Sequence, residues 1–170
     1  MEHVIRKEAL VGAPVGEVWR AWTTSWGAVT FFAPEAHIEA REGGAYEICF
    51  LPEAEPGGRG SDGCVVLALE PPVGAAGPAG APAAARLRFR WNAPPRFPEI
   101  RDGGEHTWVE LRFTAVDERG TRVELEHGGW RRGGRWDDVF SYFLRAWDTV
   151  LGRLERRFRD GPIDWDAPGL

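Results

Sequence analysis

The stretch TWVELRFTAVDERGTRVELEHGGW, Thr107 to Trp130, decides how this chain folds. Val109, Leu111 and Phe113 alternate with Trp108, Glu110 and Arg112 at the two-residue period of a strand, and Thr121, Val123, Leu125 and His127 repeat the pattern beyond the turn DERG. The spacing predicts strands over 106–115 and 121–127 joined as a hairpin. His127 shares the apolar face, while His106, Trp108, Glu110 and Arg112 point outward. A sheet that is apolar on one side needs a covering layer.

That cover stands directly downstream. From about Arg135 to Arg159, the residues Trp136, Phe140, Phe143, Leu144, Trp147, Val150, Leu151, Leu154 and Phe158 recur at three- and four-residue intervals, the stripe of a long amphipathic helix. The linking segment HGGWRRGGRW, with its glycines and three arginines, reads as a corner and a solvated helix start, with Trp130 at the mouth of whatever space the helix closes.

Upstream, RLRFRW places Leu87, Phe89 and Trp91 on one face of a strand and three arginines on the other. Further strands are predicted over 4–11, 37–41, 45–51 and 64–69, with Tyr46, Ile48, Phe50, Val65, Leu67 and Leu69 directed inward. Pro14 opens a helix carrying Val15, Val18, Trp19 and Trp22 at helical spacing. The piece SWGAVTFFAP fits a second short helix or a loop, and Trp26, Phe31 and Phe32 make it a candidate lid or pocket wall as readily as core packing. The sum is an α+β chain: a mostly antiparallel meander under a long C-terminal helix. Residues 1–170 are expected to form one domain, with a flexible Ala/Gly/Pro-rich insertion over 71–85, a loop over 92–105 and a tail over 160–170.

Composition excludes several classes of chemistry. The net charge of -5 is mild and dispersed, so no nucleic-acid surface is expected. No apolar run approaches the roughly 20 residues of a membrane span and no secretion signal is evident, which predicts a soluble, cytoplasmic protein. Lys7 is the only lysine, so a phosphate-binding GKT loop is absent. Ser25, Ser61 and Ser141 fall in no GxSxG turn. Cys49 and Cys64 lie outside CxxC spacing; a hairpin near Pro56 and Gly57 would set them opposite each other, although two free, half-buried thiols suit a reducing compartment. No HxH or HExxH occurs, and Glu124 and His127, three apart on a strand, face opposite ways, so no metal or other cofactor is expected.

Taken in order, APVGEVWRAWTT, FFAPEAHIEAREGGAYEI, LALEPP followed by LRFRW, the hairpin, and a tryptophan-bearing last helix form a set. It resembles the START-like superfamily called SRPBCC, specifically the family homologous to the C-terminal domain of the activator of the heat-shock-protein-90 ATPase, from about Val4 to Phe158. The resemblance implies a helix-grip fold, like that of the birch-pollen allergen, in which a curved antiparallel sheet wraps the long helix around an apolar cavity. Related domains hold lipids, polyketides or hormones there, and some catalyse cyclisation or hydration, so the fold does not choose a function. The activator's separate N-terminal domain is not expected in this chain.

The candidate ligand-binding residues on this reading are Trp26, Phe31, Phe32, Tyr46, Ile48, Phe50, Leu67, Phe89, Trp91, Leu111, Phe113, Leu125, His127, Trp130, Trp136, Phe140, Phe143 and Trp147. Packing alone also accounts for the aromatic residues, since each buries about 150–250 Å², worth about 4–6 kcal/mol of gross transfer energy. His127 is a hydrogen-bonded structural residue or, with Tyr46 as partner, an acid/base. Three functions follow: binding a small apolar or amphipathic ligand, a cyclase- or hydratase-type reaction at His127, or contact with a chaperone, by a monomer or homodimer.

Overall fold

The structure, a computed structural model, describes residues 3–74 and 80–167. The strands are β1 (Ile5–Val11), β2 (Glu35–Ile38), β3 (Tyr46–Cys49), β4 (Val66–Glu70), β5 (Ala84–Trp91), β6 (Thr107–Asp117) and β7 (Gly120–Gly128). The helices are α1 (Val15–Thr23), α2 (Ser25–Ala28), α3 (Pro98–Arg101) and α4 (Arg135–Asp160). A five-stranded antiparallel sheet runs β1-β7-β6-β5-β4, and β2 pairs with β3 beside it. Bridges from Ala45 to Val65 and from Cys49 to Gly60 attach this hairpin to the segment that leads into β4.

The β6–β7 hairpin lies at the centre, with Leu111 opposite Leu125, Val109 opposite His127 and Phe113 opposite Val123. These residues are fully buried, because α4 lays Val139, Phe143, Trp147, Val150, Leu151 and Leu154 into the same core. Lys7 of β1 reaches Asp148 of α4 at 2.8 Å. Leu144 is half-exposed: it follows Phe143 directly and so stands about 100° further round the helix.

The corner before α4 depends on glycine. A Cβ at Gly128 would run into the Trp108 indole, and Gly129 has φ +85°. Trp130 then folds back, its Nε1–H donating to the His127 carbonyl at 2.7 Å.

Several expectations need correction. In β4 a bulge between Val66 and Ala68 reverses the side-chain alternation: Val66 is buried opposite Phe89, Leu69 packs inward opposite Leu87, and Leu67 is turned outward at 39% exposure. Strict alternation therefore fails for Val65 and Leu67. The turn between Cys49 and Cys64 does not bring them face to face, because Cys49 bridges Gly60 while the Cys64 carbonyl accepts from the Tyr46 N–H. Both thiols are free. Strand β2 covers Glu35–Ile38 rather than 37–41, since Arg41 N–H turns back to the Glu39 carbonyl. Strand β5 starts at Ala84, and the Ala83 carbonyl accepts from Ala115, so the end of the expected insertion is sheet; residues 75–79 lie outside the described residues. Glu110 points outward as expected yet is buried, beneath Arg86 at 2.7 Å, Arg112 at 3.0 Å and Arg88 at 3.7 Å.

Candidate functional site

Where β5 ends, the sheet and α4 part around a half-open cleft of about 760 Å³. Its floor is aromatic. Phe32 stacks on Trp91 at 5.8 Å, Trp91 meets Trp147 at 5.7 Å, and Phe143 stacks on Trp147 at 6.2 Å. One lip is the loop after β3, carrying Phe50, Leu51, Arg59 and Gly60; the other follows β5, with Asn92, Pro94, Pro95 and Arg96. The wall is α4, through Tyr142, Arg145, Ala146, Thr149, Val150 and Arg153. Apart from Val150, which belongs to the buried stripe, these helix residues lie beside it.

The two lips are tied together by one ion pair. Asp62 accepts from the backbone N–H groups of Gly57, Arg59 and Gly60 at 2.7–3.0 Å and from Arg101 at 3.2 Å. Arg101, on α3, also donates to the carbonyls of Gly57 and Ala93, so a single side chain grips both loops. Burial opposes the Asp62 charge, but the N–H groups of Gly60 and Gly57, with Arg101, hold its carboxyl below the usual carboxylate range. Arg96 lies over Tyr142 at 4.6 Å and Phe97 at 5.1 Å, pinning the second lip to α4.

His127 stands one side chain behind this wall. Its Nδ1 accepts from the Trp147 indole N–H at 2.9 Å, and its Nε2 is 2.7 Å from the Thr107 hydroxyl. A ring whose Nδ1 accepts carries its proton on Nε2, so Thr107 accepts from it and in turn donates to the Trp91 carbonyl at 3.4 Å. Trp130 and Phe143 seal the imidazole at 4.3 and 5.0 Å, and it is fully buried. Burial therefore holds its pKa well below the ordinary 6.5.

The structure gathers Phe32, Phe50, Trp91, Phe143 and Trp147 of the expected residues around the cleft. Phe31, Tyr46, Ile48, Phe89, Leu111, Phe113, Leu125 and His127 are buried in the core instead. Tyr46 donates its hydroxyl to the Trp22 carbonyl at 2.8 Å and stacks on Phe89, and burial pushes its pKa well up. Trp130, Trp136 and Phe140 pack partly buried around the start of α4, away from the cleft. Trp26 is 63% exposed on α2 and, with Leu67, stands outside it. Arg59, Arg96, Tyr142, Arg145 and Arg153 were missed. Tyr142, Thr149 and Arg153 recur at helical spacing, but nothing local says which loops face them.

No protein-family model matches the sequence, and no curated protein does. Solved structures do match. A protein from Mesorhizobium loti superposes with a TM-score of 0.65 at 18% identity, over 95% of this chain and 100% of its own. A protein of the dynemicin biosynthetic locus gives 0.63 at 21% identity, over 95% of this chain but only 49% of that longer one. A heat-shock-protein-90 activator from Plasmodium falciparum gives 0.58 at 14% identity, over 89% and 93%. The chain thus has the helix-grip fold that the Plasmodium activator also takes. Among the described residues, no helix is long and apolar enough to cross a membrane.

Proposed function

We propose that this chain is a single START-like domain over residues 1–170 that binds a small apolar or amphipathic molecule in the cleft between β5 and α4. The observation that carries this reading is the cleft itself: about 760 Å³, floored by Phe32, Trp91, Phe143 and Trp147, with two lips locked by Arg101 and Asp62. That volume is within the usual range of small-molecule sites, about 300–1,000 Å³, and apolar walls with a few placed polar groups are their usual makeup. Free Cys49 and Cys64 suit a reducing cytoplasm.

Native mass spectrometry of the purified protein, with tryptophan-fluorescence titration against lipids and aromatic metabolites, tests the reading. A co-purifying mass or a saturable quench, lost in Ala146→Trp, supports it. No binder across the panel sinks it. Acid/base chemistry at His127 draws no support from this geometry, because both ring nitrogens are engaged and the ring does not line the cleft.

A second reading, contact with a chaperone, is favoured by the fold shared with the Plasmodium activator. Stimulation of a heat-shock-protein-90 ATPase by the purified chain is its test, and an unchanged ATPase rate removes it.

A further inference from the structure

The cleft is lined by four arginines and no aspartate or glutamate, in a chain whose acidic residues outnumber its basic ones by 26 to 21. The four come from three separate segments: Arg59 on one lip, Arg96 on the other, Arg145 and Arg153 on α4. Elsewhere on this protein arginines are paired with carboxylates, as at Glu39, Glu70, Glu99, Glu105 and Glu110. Among the described residues, none of the cleft arginines forms such an ion pair. Arg59 spends its Nε on the Ala54 carbonyl, Arg96 lies over Tyr142 and Phe97, and Arg153 lies over Trp165 at 5.2 Å.

Stacked guanidinium groups are held in place with their N–H edges left for a ligand, and guanidinium matches the two-oxygen edge of a carboxylate or phosphate. Burial, and after it the neighbouring Arg156, holds the Arg153 pKa below its usual value. Low-dielectric aromatic walls beside the arginines strengthen that attraction.

We propose that the cleft takes an amphiphile with one oxyanion head, its apolar body on Trp91, Phe143 and Trp147 and its head among Arg59, Arg96, Arg145 and Arg153. This rests on the ligand-binding reading above and adds to it the charge of the ligand. A carboxylate and a phosphate monoester share the required chemistry, and the test separates them.

Tryptophan-fluorescence titration of the full chain with dodecanoate, dodecyl phosphate and dodecanamide, each below its aggregation threshold, provides the test. The expected result is that at least one anion binds about tenfold or more tightly than the amide, a gap of about 1.4 kcal/mol, and that rising ionic strength narrows it. Tighter binding of dodecanoate assigns a carboxylate, and tighter binding of dodecyl phosphate a phosphate ester. Arg96→Gln combined with Arg145→Gln, both on exposed side chains, should remove the preference for the anion over the amide. Arg119→Gln, on the turn after β6, should leave that preference in place. Equal affinity for anion and amide overturns the charge inference and leaves the ligand-binding reading standing. Failure of all three probes, and of the wider panel, overturns both. The salt dependence of the unmodified protein decides the matter even if the double variant misfolds.

Discussion

The indole N–H of Trp147, on the floor of the cleft, donates to Nδ1 of His127 at 2.9 Å. This bond fixes both the tautomer of a buried histidine and the tilt of an aromatic ring that faces the open space. Thr107 completes the chain at Nε2, and its hydroxyl reaches the backbone of Trp91, the other floor tryptophan. A hydrogen-bonded series thus runs under the cleft from one wall to the other. His127→Ala leaves the buried Trp147 indole N–H unpartnered and Thr107 with only its bond to the Trp91 carbonyl, and is expected to lower the unfolding free energy by about 2–4 kcal/mol in urea titration. His127→Gln, which keeps one polar partner, should lose less.

The same histidine makes stability depend on pH. The unfolded chain takes up this proton near the ordinary 6.5, whereas burial keeps the folded ring neutral well below that. The contribution is therefore complete above about pH 6.5 and declines as pH falls beneath it, at up to about 1.4 kcal/mol per pH unit. His106, held down by burial and by Arg90, acts in the same direction. Urea midpoints of the unmodified protein and His127→Gln should converge between pH 7 and pH 5, with the steeper fall in the unmodified chain. Parallel curves would show that His127 titrates normally.

Arg101 and Asp62 hold the two lips of the cleft from beneath, and the Arg101 side chain is only 7% exposed. Arg101→Met removes the grip on both the Gly57 and the Ala93 carbonyls and leaves Asp62 without its cation. The expected cost is about 1–3 kcal/mol. Hydrogen exchange should rise at residues 57–62 and 92–97 and stay unchanged at the centre of β6. Uniform acceleration would mean that the pair supports the whole fold rather than the lips.

The thiols should differ in reactivity. Burial pushes Cys64 up to about 12, while half-exposed Cys49 is raised by a smaller burial effect and by Glu35. Only the thiolate reacts. Iodoacetamide at mild alkaline pH should modify Cys49 slowly and Cys64 only in denaturant, read by intact mass as one adduct against two.

The bulge in β4 separates two adjacent residues sharply. Leu67→Lys should fall within about 0.5 kcal/mol of neutral because the side chain is already in water. Val66→Lys, beside Phe89, buries an unpaired charge and should cost about 3 kcal/mol or more. The reverse order in thermal melts would restore unbroken alternation through Leu67.

The helix-grip fold was legible in the residues to the extent that periodicity encodes it. Alternation in β6 and β7 and the three-and-four spacing of α4 are local, repeated and strongly apolar, so each element declares both its type and its buried face. His127 was correctly placed among the apolar set for this reason, even though nothing local shows that Trp147, twenty residues on, would take its Nδ1.

The bulge at Leu67, the burial of Glu110 under arginines from three positions, and the cleft are of another kind. Each depends on which distant segments meet: Arg59 with Gly60, Pro94 with Arg96, and Arg145 with Arg153 come from loops and a helix that share no sequence period. Arg101 and Asp62, thirty-nine residues apart, set the distance between those loops. Local pattern reports how a segment hides its apolar side. The position of a loop is set by long-range hydrogen bonds and packing, and those exist only once the chain has closed on itself.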